Sequence, residues 1–405
     1  MKIAVLHWGT SSVGGINTSL QTLRKIANDK GDTFHVFACD DQKTKKPCNI
    51  ESKLVRGGDT YILIDGYLPH HENNYRDSVK YLVDNNYDVV MTSYLCPHPT
   101  KDYGDDPIFE KILQEIMNAN IPIVGYIHDA YWDSYAEFGK VALQYTHKTM
   151  VCQKAYVQEY MDYGVNIIPA FVPFTPFPAD YSGIERKYQG CWLPQWKGIK
   201  GIKKFVPTLV NSKLPVELYS NGIEYYYERK KDYWKDIIKK DYFADTEGNG
   251  IHNFYGTVPV QEVGRILSES SFMFDFQGHS AKYSAYLNGS YNHTILEALY
   301  YGAVPVVHKN MLKSDIPDDC LLAVDKIEDW IQAVENFDLN SYDREKAKQY
   351  VLENHSADKL YDLIFEEFRN TQADYSQKKI LNIPEVQEVT ESPVVASSIA
   401  DTDEW

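Results

Sequence analysis

A regular alternation of short apolar runs with longer amphipathic stretches limits this chain to one class of fold. In the first third of the chain, the apolar runs predict strands at Lys2–Leu6, Phe34–Ala38, Tyr61–Ile64, Tyr87–Thr92 and Ile121–Ile127. The amphipathic stretches between them predict helices at Ile16–Asp29, Tyr75–Asn85 and Ile108–Asn118. A helix between two strands carries the chain back to the starting edge, so such strands pair in parallel. The pattern therefore predicts an α/β fold with a doubly wound parallel sheet.

A proline-rich segment, Ile168–Pro178, separates this pattern from a second one. Four prolines in eleven residues exclude a regular helix or a central strand, so we expect a linker between two domains. The second pattern predicts strands at Cys191–Leu193, Val216–Tyr219, His252–Tyr255 and Phe272–Phe276. It predicts helices at Gly198–Val210, Tyr225–Lys240, Val260–Glu269, Ile327–Phe337, Asp343–Glu353 and Ala357–Phe368.

The length of 405 residues also favours two domains. We expect an N-terminal domain at 1–170, a linker at 171–186 and a C-terminal domain at 187–355. A helix at 356–370 is expected to pack back towards the N-terminal domain. The remainder, 371–405, has seven acidic and two basic residues without periodicity, which predicts a disordered acidic tail.

The composition limits the classes of function. The net charge of −16 argues against a general nucleic-acid coat, although residues 1–200 are near neutral, with 20 basic and 23 acidic side chains. No apolar run reaches the length of about eighteen residues that a membrane-spanning helix needs, and the N-terminal run predicts a strand rather than a signal peptide. The six cysteines form no CxxC or metal-binding spacing, so we expect reduced thiols and a cytoplasmic protein.

Two glycines lie in the turn between the first predicted strand and the first predicted helix. Gly14 and Gly15 let a ligand approach the backbone closely, although a tight turn alone also explains them. The turn lacks the GxGxxG pattern of dinucleotide-binding sites, which argues against a nicotinamide-dependent enzyme.

A histidine and an aspartate follow the predicted strand Ile121–Ile127. His128 and Asp129 therefore stand at the carboxyl end of a strand, where doubly wound sheets bind ligands. The carboxylate could act as a base or orient a sugar hydroxyl, and the alternative is a structural histidine at the sheet edge. Two aromatic residues, Tyr131 and Trp132, follow closely.

Three turns in the second half also follow predicted strands. Lys197 precedes a glycine and offers a point charge to a diphosphate. Gly222 and Glu224 lie in the next turn, and Thr257 lies in the turn after that. These turns are candidates for a nucleotide pocket, and they are equally typical of ordinary βα loops.

The segment Ser290–Val307 combines a polar loop, a short helix, a glycine and a buried strand. Its Ser, Asn and Thr residues are typical of a helix N-terminus, and Gly302 is typical of a helix end. Backbone N–H groups at the start of this helix would suit a phosphate. Glu297 lies one turn further on, where it could reach a ribose diol. The alternative is a solvated glutamate in an ordinary βα unit.

In their order and spacing, these segments resemble the retaining GT-B glycosyltransferases, and more closely the DNA α-glucosyltransferases of T-even bacteriophages. The matching segments are His128-Asp129, Trp196-Lys197-Gly198, Gly222-Ile223-Glu224, Phe276-Gln277, Tyr286-Leu287, Ser290, Thr294, Leu296-Glu297, Gly302 and Pro305-Val306. The resemblance covers residues 1–370 and implies the GT-B fold, in which two Rossmann-like domains face a central cleft. It implies a retaining hexosyl- or pentosyltransferase that modifies 5-hydroxymethylcytosine in phage DNA.

The resemblance also implies roles for individual residues. Lys197 would neutralise the diphosphate leaving group, and His128 and Asp129 would position the sugar and the incoming hydroxyl. Glu297 would bind the ribose. The other positions implied to contact the donor are Gly14, Gly15, Gly222, Glu224, Thr257, Thr294 and Ile295. The co-substrate would be a UDP-sugar, UDP-glucose by default or UDP-arabinose, with neither a metal ion nor a tightly bound cofactor.

Double-stranded DNA that contains 5-hydroxymethylcytosine is the partner that the resemblance implies, in the cytoplasm of an infected cell and away from membranes. A flipped base needs aromatic contacts, for which Tyr94, Tyr131 and Trp132 are candidates. The predicted helix Tyr225–Lys240 offers six basic side chains to a DNA backbone, although a solvated amphipathic helix explains them more simply.

One position departs from the family pattern. The family has an arginine five residues before the lysine, where this chain has Trp192, so a bidentate phosphate contact is missing. Lys200, Lys203 and Arg186 are the candidates to replace it. Three alternatives stay open: a glycan, lipid or protein acceptor, a catalytically silent binding module, and a sugar-nucleotide epimerase of the same architecture.

Overall fold

The structure is a computed structural model, which describes most of both halves of the chain. The described ranges are 1–8, 15–40, 53–57, 60–69, 75–93, 107–127, 145–152, 157–158, 161, 166–176, 179–194, 201–219, 252–255, 258–279 and 291–370.

Strands and helices alternate through these ranges. The strands are β1 (Lys2–Trp8), β2 (Thr33–Asp40), β3 (Lys53–Gly57), β4 (Thr60–Ile64), β5 (Gly66–Pro69), β6 (Val89–Thr92), β7 (Ile123–Ile127), β8 (Lys148–Val151), β9 (Ile167–Pro169), β10 (Lys187–Trp192), β11 (Val216–Leu218), β12 (His252–Phe254), β13 (Ser270–Asp275), β14 (Val304–His308) and β15 (Leu322–Val324). The helices are α1 (Gly15–Asp29), α2 (Tyr75–Asp84), α3 (Pro107–Asn118), α4 (Ile202–Thr208), α5 (Val260–Glu269), α6 (His293–Tyr301), α7 (Trp330–Glu335), α8 (Arg344–Asn354) and α9 (Ala357–Asn370).

The first sheet has seven strands in the order β5-β2-β1-β6-β7-β8-β9, and every neighbouring pair is parallel. Side chains of β1 alternate between its two faces, as the period of a strand requires. Ile3 and Val5 pack towards α1 and α9, whereas Ala4 and Leu6 pack towards α2 and α3. Helices therefore cover both faces of this sheet.

The second sheet has six parallel strands in the order β12-β11-β10-β13-β14-β15. The chain moves outward from β10 to β12 and then returns to β13, so α5 and α6 lie on the opposite face from α4. In the first sheet the order reverses in the same way between β1 and β6. Crevices at the carboxyl ends of strands, beside such a reversal, are where doubly wound sheets bind ligands.

Two parallel, doubly wound sheets were predicted, and both are confirmed. The third predicted strand, Tyr61–Ile64, was placed wrongly. It exists as β4 but pairs antiparallel with β3 in a separate hairpin, and β5 takes the edge of the first sheet. Only two residues separate β3 from β4, which is too short for a crossover to a parallel neighbour.

The proline-rich segment begins inside the first sheet. Ile167–Pro169 forms β9, which is an edge strand, the position in a sheet that tolerates proline. Further along the chain, the predicted helix Tyr225–Lys240 and the acidic tail lie outside the described residues.

Helix α9, at the end of the described chain, lies against the first sheet. Phe365 packs edge-on against Phe34 of β2, with ring centroids 6.4 Å apart. The Tyr361 hydroxyl donates a hydrogen bond of 2.9 Å to Asp32, which also pairs with Arg369. The chain therefore returns to the first sheet after completing the second one. The domain bounds given above stay predictions.

Candidate functional site

Helix α6 follows the central strand β13 and begins at the carboxyl edge of the second sheet. Its first residue, His293, is buried, and its Nε2 atom lies 3.0 Å from the Ser19 hydroxyl of α1. The N-terminal parts of two helices, α1 from the first half of the chain and α6 from the second, therefore meet at this contact. The N-terminus of α6 also carries the positive end of the helix dipole.

Asn292 caps the N-terminus of α6. Its side-chain oxygen accepts a hydrogen bond of 3.1 Å from the backbone N–H of Thr294. Its amide nitrogen donates to Asp275 at 2.8 Å and to Gln277 at 3.3 Å. Asp275 is fully buried at the end of β13, and it also accepts a bond of 3.1 Å from the backbone of Gln277. The cap is thus attached to the sheet through a buried carboxylate.

The Thr294 and Ile295 amides, predicted to meet a phosphate, both have partners at this cap. The Thr294 N–H donates to the Asn292 side chain, and the Ile295 N–H lies 3.3 Å from the Asn292 carbonyl oxygen. A phosphate bound at Thr294 would compete with the Asn292 side chain for that N–H.

Glu297 lies one turn into α6 and is buried, with 9% of its surface exposed. Burial alone raises the pKa of its carboxyl group from 4.5 to about 7. Among the described residues, its carboxylate has no hydrogen-bond or ion-pair partner. A buried acceptor of this kind gains most from a ligand that brings hydroxyl donors, such as a diol.

Arg186 lies at the other end of α6 and does not replace the missing arginine. Its guanidinium donates to the carbonyl oxygens of Tyr301 at 2.7 Å and Leu267 at 2.9 Å, and also to that of Ser270. Because Arg186 precedes β10, it lies at the amino edge of the sheet, away from the carboxyl ends of the strands. It caps carbonyl groups at the ends of α5 and α6 and at the start of β13.

Trp192 is a core residue. It is fully buried and stacks on Phe205 of α4, with centroids 5.1 Å apart and an angle of 24° between the rings. Its indole N–H donates to the Pro194 carbonyl oxygen at 2.8 Å. The side chain fills the interior beneath α4, so this position neither contacts a phosphate nor leaves space for one.

Two tyrosines stack at the carboxyl edge of β11 and β12. The ring centroids of Tyr219 and Tyr255 are 4.9 Å apart, and the rings are 13° from parallel. Tyr219 is buried, whereas 52% of the Tyr255 surface is exposed. One face of the Tyr255 ring therefore stacks on Tyr219, and the other is open to a ligand. Tyr255 lies two residues before Thr257 in the chain.

Several solved structures share this fold over nearly the whole chain. An alpha-glucosyltransferase in complex with UDP and a 13-mer DNA containing a HMU base matches with a TM-score of 0.62 and 16% identity, over 91% of this chain and 99% of that chain. HepE (Alr3699) of Anabaena in complex with UDP-glucose matches with a TM-score of 0.60 and 13% identity, over 92% and 100%. The protein has the GT-B fold. The apo form of a lipopolysaccharide outer core galactosyltransferase, WaaB, shares the GT-B fold at a TM-score of 0.56 and 13% identity, over 91% and 99%.

No protein-family model matches the sequence. No curated protein matches it either. At the identities of the solved structures, the likeness establishes the GT-B fold.

Most of the residues predicted for the site lie outside the described ranges. These are His128, Asp129, Lys197, Gly14, Gly222, Glu224, Thr257, Tyr94, Tyr131 and Trp132, and their roles stay predictions. Gly15 is the first residue of α1, and Thr294, Ile295 and Glu297 share one end of α6. In the described ranges no group of three or more His, Cys, Asp or Glu residues could hold a metal ion. No helix there has the length and apolar character to cross a membrane.

Sequence reasoning missed four residues around α6 in this GT-B fold. Asp275 could have been found, since an acidic residue that ends an apolar strand faces the ligand edge of a doubly wound sheet. Ser19, Tyr291 and His293 gave no signal in the sequence. Their partners are distant in the chain, and only the tertiary structure brings them together.

Proposed function

We propose that the protein is a retaining glycosyltransferase that moves a sugar from a UDP-sugar to the hydroxymethyl group of 5-hydroxymethylcytosine in DNA. Glucose is the default sugar, and arabinose is the alternative. The observation that carries the proposal is the start of α6. A capped helix N-terminus with a buried carboxylate one turn further on lies at the carboxyl edge of the second sheet, in the GT-B fold.

The donor would lie along the carboxyl edge of the second sheet. The ribose hydroxyls would donate to Glu297, which gains the partners that it lacks among the described residues. The exposed ring of Tyr255 offers a face on which the uracil base can stack. The diphosphate would take the Thr294 N–H from Asn292, whose amide nitrogen stays bonded to Asp275 and Gln277.

Charge stabilisation would drive the transfer. As the bond between the anomeric carbon and the diphosphate oxygen breaks, Lys197 and the α6 dipole would offset the negative charge on the leaving group. The hydroxymethyl oxygen would bond to the anomeric carbon on the same face. Its proton would pass to the departing diphosphate, the nearest base on that face. His128 and Asp129 would position the sugar and the hydroxyl.

Two observations support a DNA acceptor. The order of segments from His128 to Val306 resembles the phage DNA enzymes, and one of the solved structures with this fold contains DNA with a HMU base. Residues 1–200 carry 20 basic and 23 acidic side chains, so most of the overall charge of −16 lies in the second half, away from the proposed acceptor-binding domain. Tyr94, Tyr131 and Trp132 would stack against the flipped base.

A glycan acceptor is the second candidate. It is favoured by the likeness to the lipopolysaccharide outer core galactosyltransferase, which has a TM-score of 0.56. The donor chemistry is the same in both cases, so only the acceptor separates them.

Calorimetric titration with UDP-glucose tests the donor site. We expect the wild type to bind and Glu297→Gln to bind at least about tenfold more weakly, because a carboxylate that accepts two hydroxyls is lost. Glu335→Gln, a change of an exposed glutamate on α7, is the control and should bind like the wild type. Wild-type affinity in Glu297→Gln would contradict the ribose assignment.

Mass spectrometry after incubation with a panel of UDP-sugars tests the acceptor. We expect a sugar to be added to DNA that contains 5-hydroxymethylcytosine and not to the same duplex with unmodified cytosine. Transfer to a lipopolysaccharide core, with the hydroxymethylated DNA left unchanged, would establish the second candidate instead.

A further inference from the structure

The chain passes between the two sheets at two places, and these two segments are bonded to each other. One is the linker after β9, and the other is the junction between α8 and α9. The Phe174 N–H donates to the His355 carbonyl oxygen at 2.7 Å, and the Ala357 N–H to the Phe174 carbonyl oxygen at 3.3 Å. Phe174 and Ser356 form an isolated parallel bridge. We call this pair of segments, 172–174 and 355–357, the hinge.

His355 is bonded within the hinge through one ring nitrogen and faces other side chains with the second. It is fully buried, and its Nδ1 lies 3.0 Å from the Val172 carbonyl oxygen, which can only accept, so Nδ1 carries a proton. Burial lowers the pKa of His355, which keeps the ring neutral and leaves Nε2 as an acceptor. The hydroxyls of Tyr291 and Tyr350 each lie 3.3 Å from Nε2.

Tyr291 joins this cluster to the start of α6. It directly precedes Asn292, the N-cap, and its buried hydroxyl donates its one proton to Asp315 at 3.0 Å. The Tyr350 hydroxyl is then the donor to the Nε2 atom of His355. Tyr291 is therefore fixed by a hydrogen bond to Asp315 and by the edge-on contact of its ring with the His355 ring, with centroids 5.8 Å apart. The hinge also touches the last turn of α6, because the ring centroids of Phe174 and Tyr300 are 5.0 Å apart.

We propose that the Tyr291 hydroxyl is a positioning group that holds the start of α6 in place for the donor diphosphate. The inference rests on the proposed function, because it takes α6 to be the diphosphate-binding helix. Tyr291 acts through the cap and makes no contact with the reacting atoms. Without its hydroxyl, Tyr291 loses the bond to Asp315 and keeps the ring contact with His355, and the first turn of α6 samples more orientations.

Comparison of Tyr291→Phe with Tyr350→Phe tests the proposal. Both hydroxyls lie at the same distance from the same imidazole nitrogen, but only Tyr291 adjoins the cap. Binding of UDP and of uridine is measured by calorimetric titration for the wild type and both variants. Uridine lacks the diphosphate, so its affinity reports on the nucleoside pocket alone.

We expect Tyr291→Phe to bind UDP about three- to tenfold more weakly than the wild type, the loss that follows from one hydrogen bond. Uridine should bind this variant within about twofold of the wild type, and Tyr350→Phe should bind both ligands normally. A general loosening of the fold would weaken uridine binding as well. Such a parallel loss, or wild-type UDP binding in Tyr291→Phe, would overturn the positioning role.

Different outcomes contradict the proposed function and the positioning role of Tyr291. If the wild type binds neither UDP nor UDP-glucose, the proposed function is wrong. If it binds UDP and Tyr291→Phe binds UDP equally well, only the inference is wrong. Should Tyr291→Phe not fold, Asp315→Ala replaces it, because Asp315 is exposed and accepts the bond from Tyr291. The same selective loss of UDP affinity is expected there, and unchanged UDP affinity would contradict the proposal.

Discussion

At the scale of single residues, Glu297 makes the stability of the ligand-free protein depend on pH. Its folded pKa of about 7 lies above the ordinary value of 4.5, so the folded state binds more protons than the unfolded state between these values. The contribution of Glu297 to stability is therefore fully present at low pH and is lost as the pH rises through that window. Glu297→Gln removes this dependence.

Urea denaturation at several pH values measures the effect of Glu297→Gln. Between about pH 5 and about pH 8, the free energy of unfolding of this variant should gain up to about 3 kcal/mol relative to the wild type. Glu335→Gln removes an exposed carboxyl group, so its difference from the wild type should stay constant. A constant difference for Glu297→Gln as well would show that Glu297 titrates normally.

The burial of Trp192 predicts the effect of introducing the arginine that the family has at this position. Trp192→Arg would bury a guanidinium against Phe205 without a carboxylate partner, at a cost of at least about 4 kcal/mol in the free energy of unfolding. Urea denaturation measures that cost. An arginine at this position therefore should not improve donor binding, because the protein loses its fold first.

Tyr188→Arg is the control for Trp192→Arg. Tyr188 lies on the same strand but has 54% of its surface exposed, so the same substitution should change stability by about 1 kcal/mol or less. If Trp192→Arg is as stable as Tyr188→Arg, the packing described for Trp192 is wrong.

The residues that sequence reasoning placed well are those whose environment is local. The N-cap of α6 and the glycine at its other end, Gly302, each depend on residues within one turn of that helix end. Their positions were therefore predictable. Arg186 was considered only as a possible phosphate contact, and Trp192 only as the position at which the family's arginine is missing. Their neighbours, Tyr301 and Phe205, come from other elements, and the chain order carries no sign of those contacts.

At the scale of elements, the end of α6 is more constrained than the end of α1. Both helices are followed by a glycine with a positive φ, 81° at Gly302 and 76° at Gly31. A Cβ at Gly302 would lie 3.0 Å from an Arg186 nitrogen and 3.2 Å from an Arg344 carbon. A Cβ at Gly31 would meet nothing within 4 Å.

This difference predicts the result of two matched substitutions. Gly31→Ala should cost about 1 kcal/mol, from the left-handed backbone alone. Gly302→Ala should cost about 1 kcal/mol more, because the arginines that donate to the Tyr301 and Gly302 carbonyl oxygens must move. Urea denaturation of both variants checks the difference, and equal costs would mean that the arginines adapt freely.

The hairpin shows why an element can be predicted correctly and still be placed wrongly. The apolar run at Tyr61–Ile64 predicted a strand, and β4 has nearly the same bounds. Its place depended on β3, whose sequence gave no strand signal of its own. The sheet to which a strand belongs depends on the strand that it pairs with. The partner of β4 is β3, which was not predicted.

At the scale of the whole molecule, one apolar core runs through both halves. The same cluster of buried side chains contains Val5 of β1, Phe365 of α9 and Phe272 of β13. Because α9 follows the second sheet in the chain but packs on the first, the first half is not complete without a segment that the second half delivers. The GT-B fold of this protein is therefore expected to unfold as one unit.

Scanning calorimetry of Phe365→Ala tests this expectation. The wild type should give one transition. Phe365 is fully buried against Phe34, so its truncation should cost about 3–5 kcal/mol and release α9 from the first sheet, which splits the transition into two. Leu363→Ala is the control on the same helix, because Leu363 is 39% exposed and its loss should leave one transition. A single transition in Phe365→Ala would mean that the halves are coupled by the hinge and α6 rather than by α9.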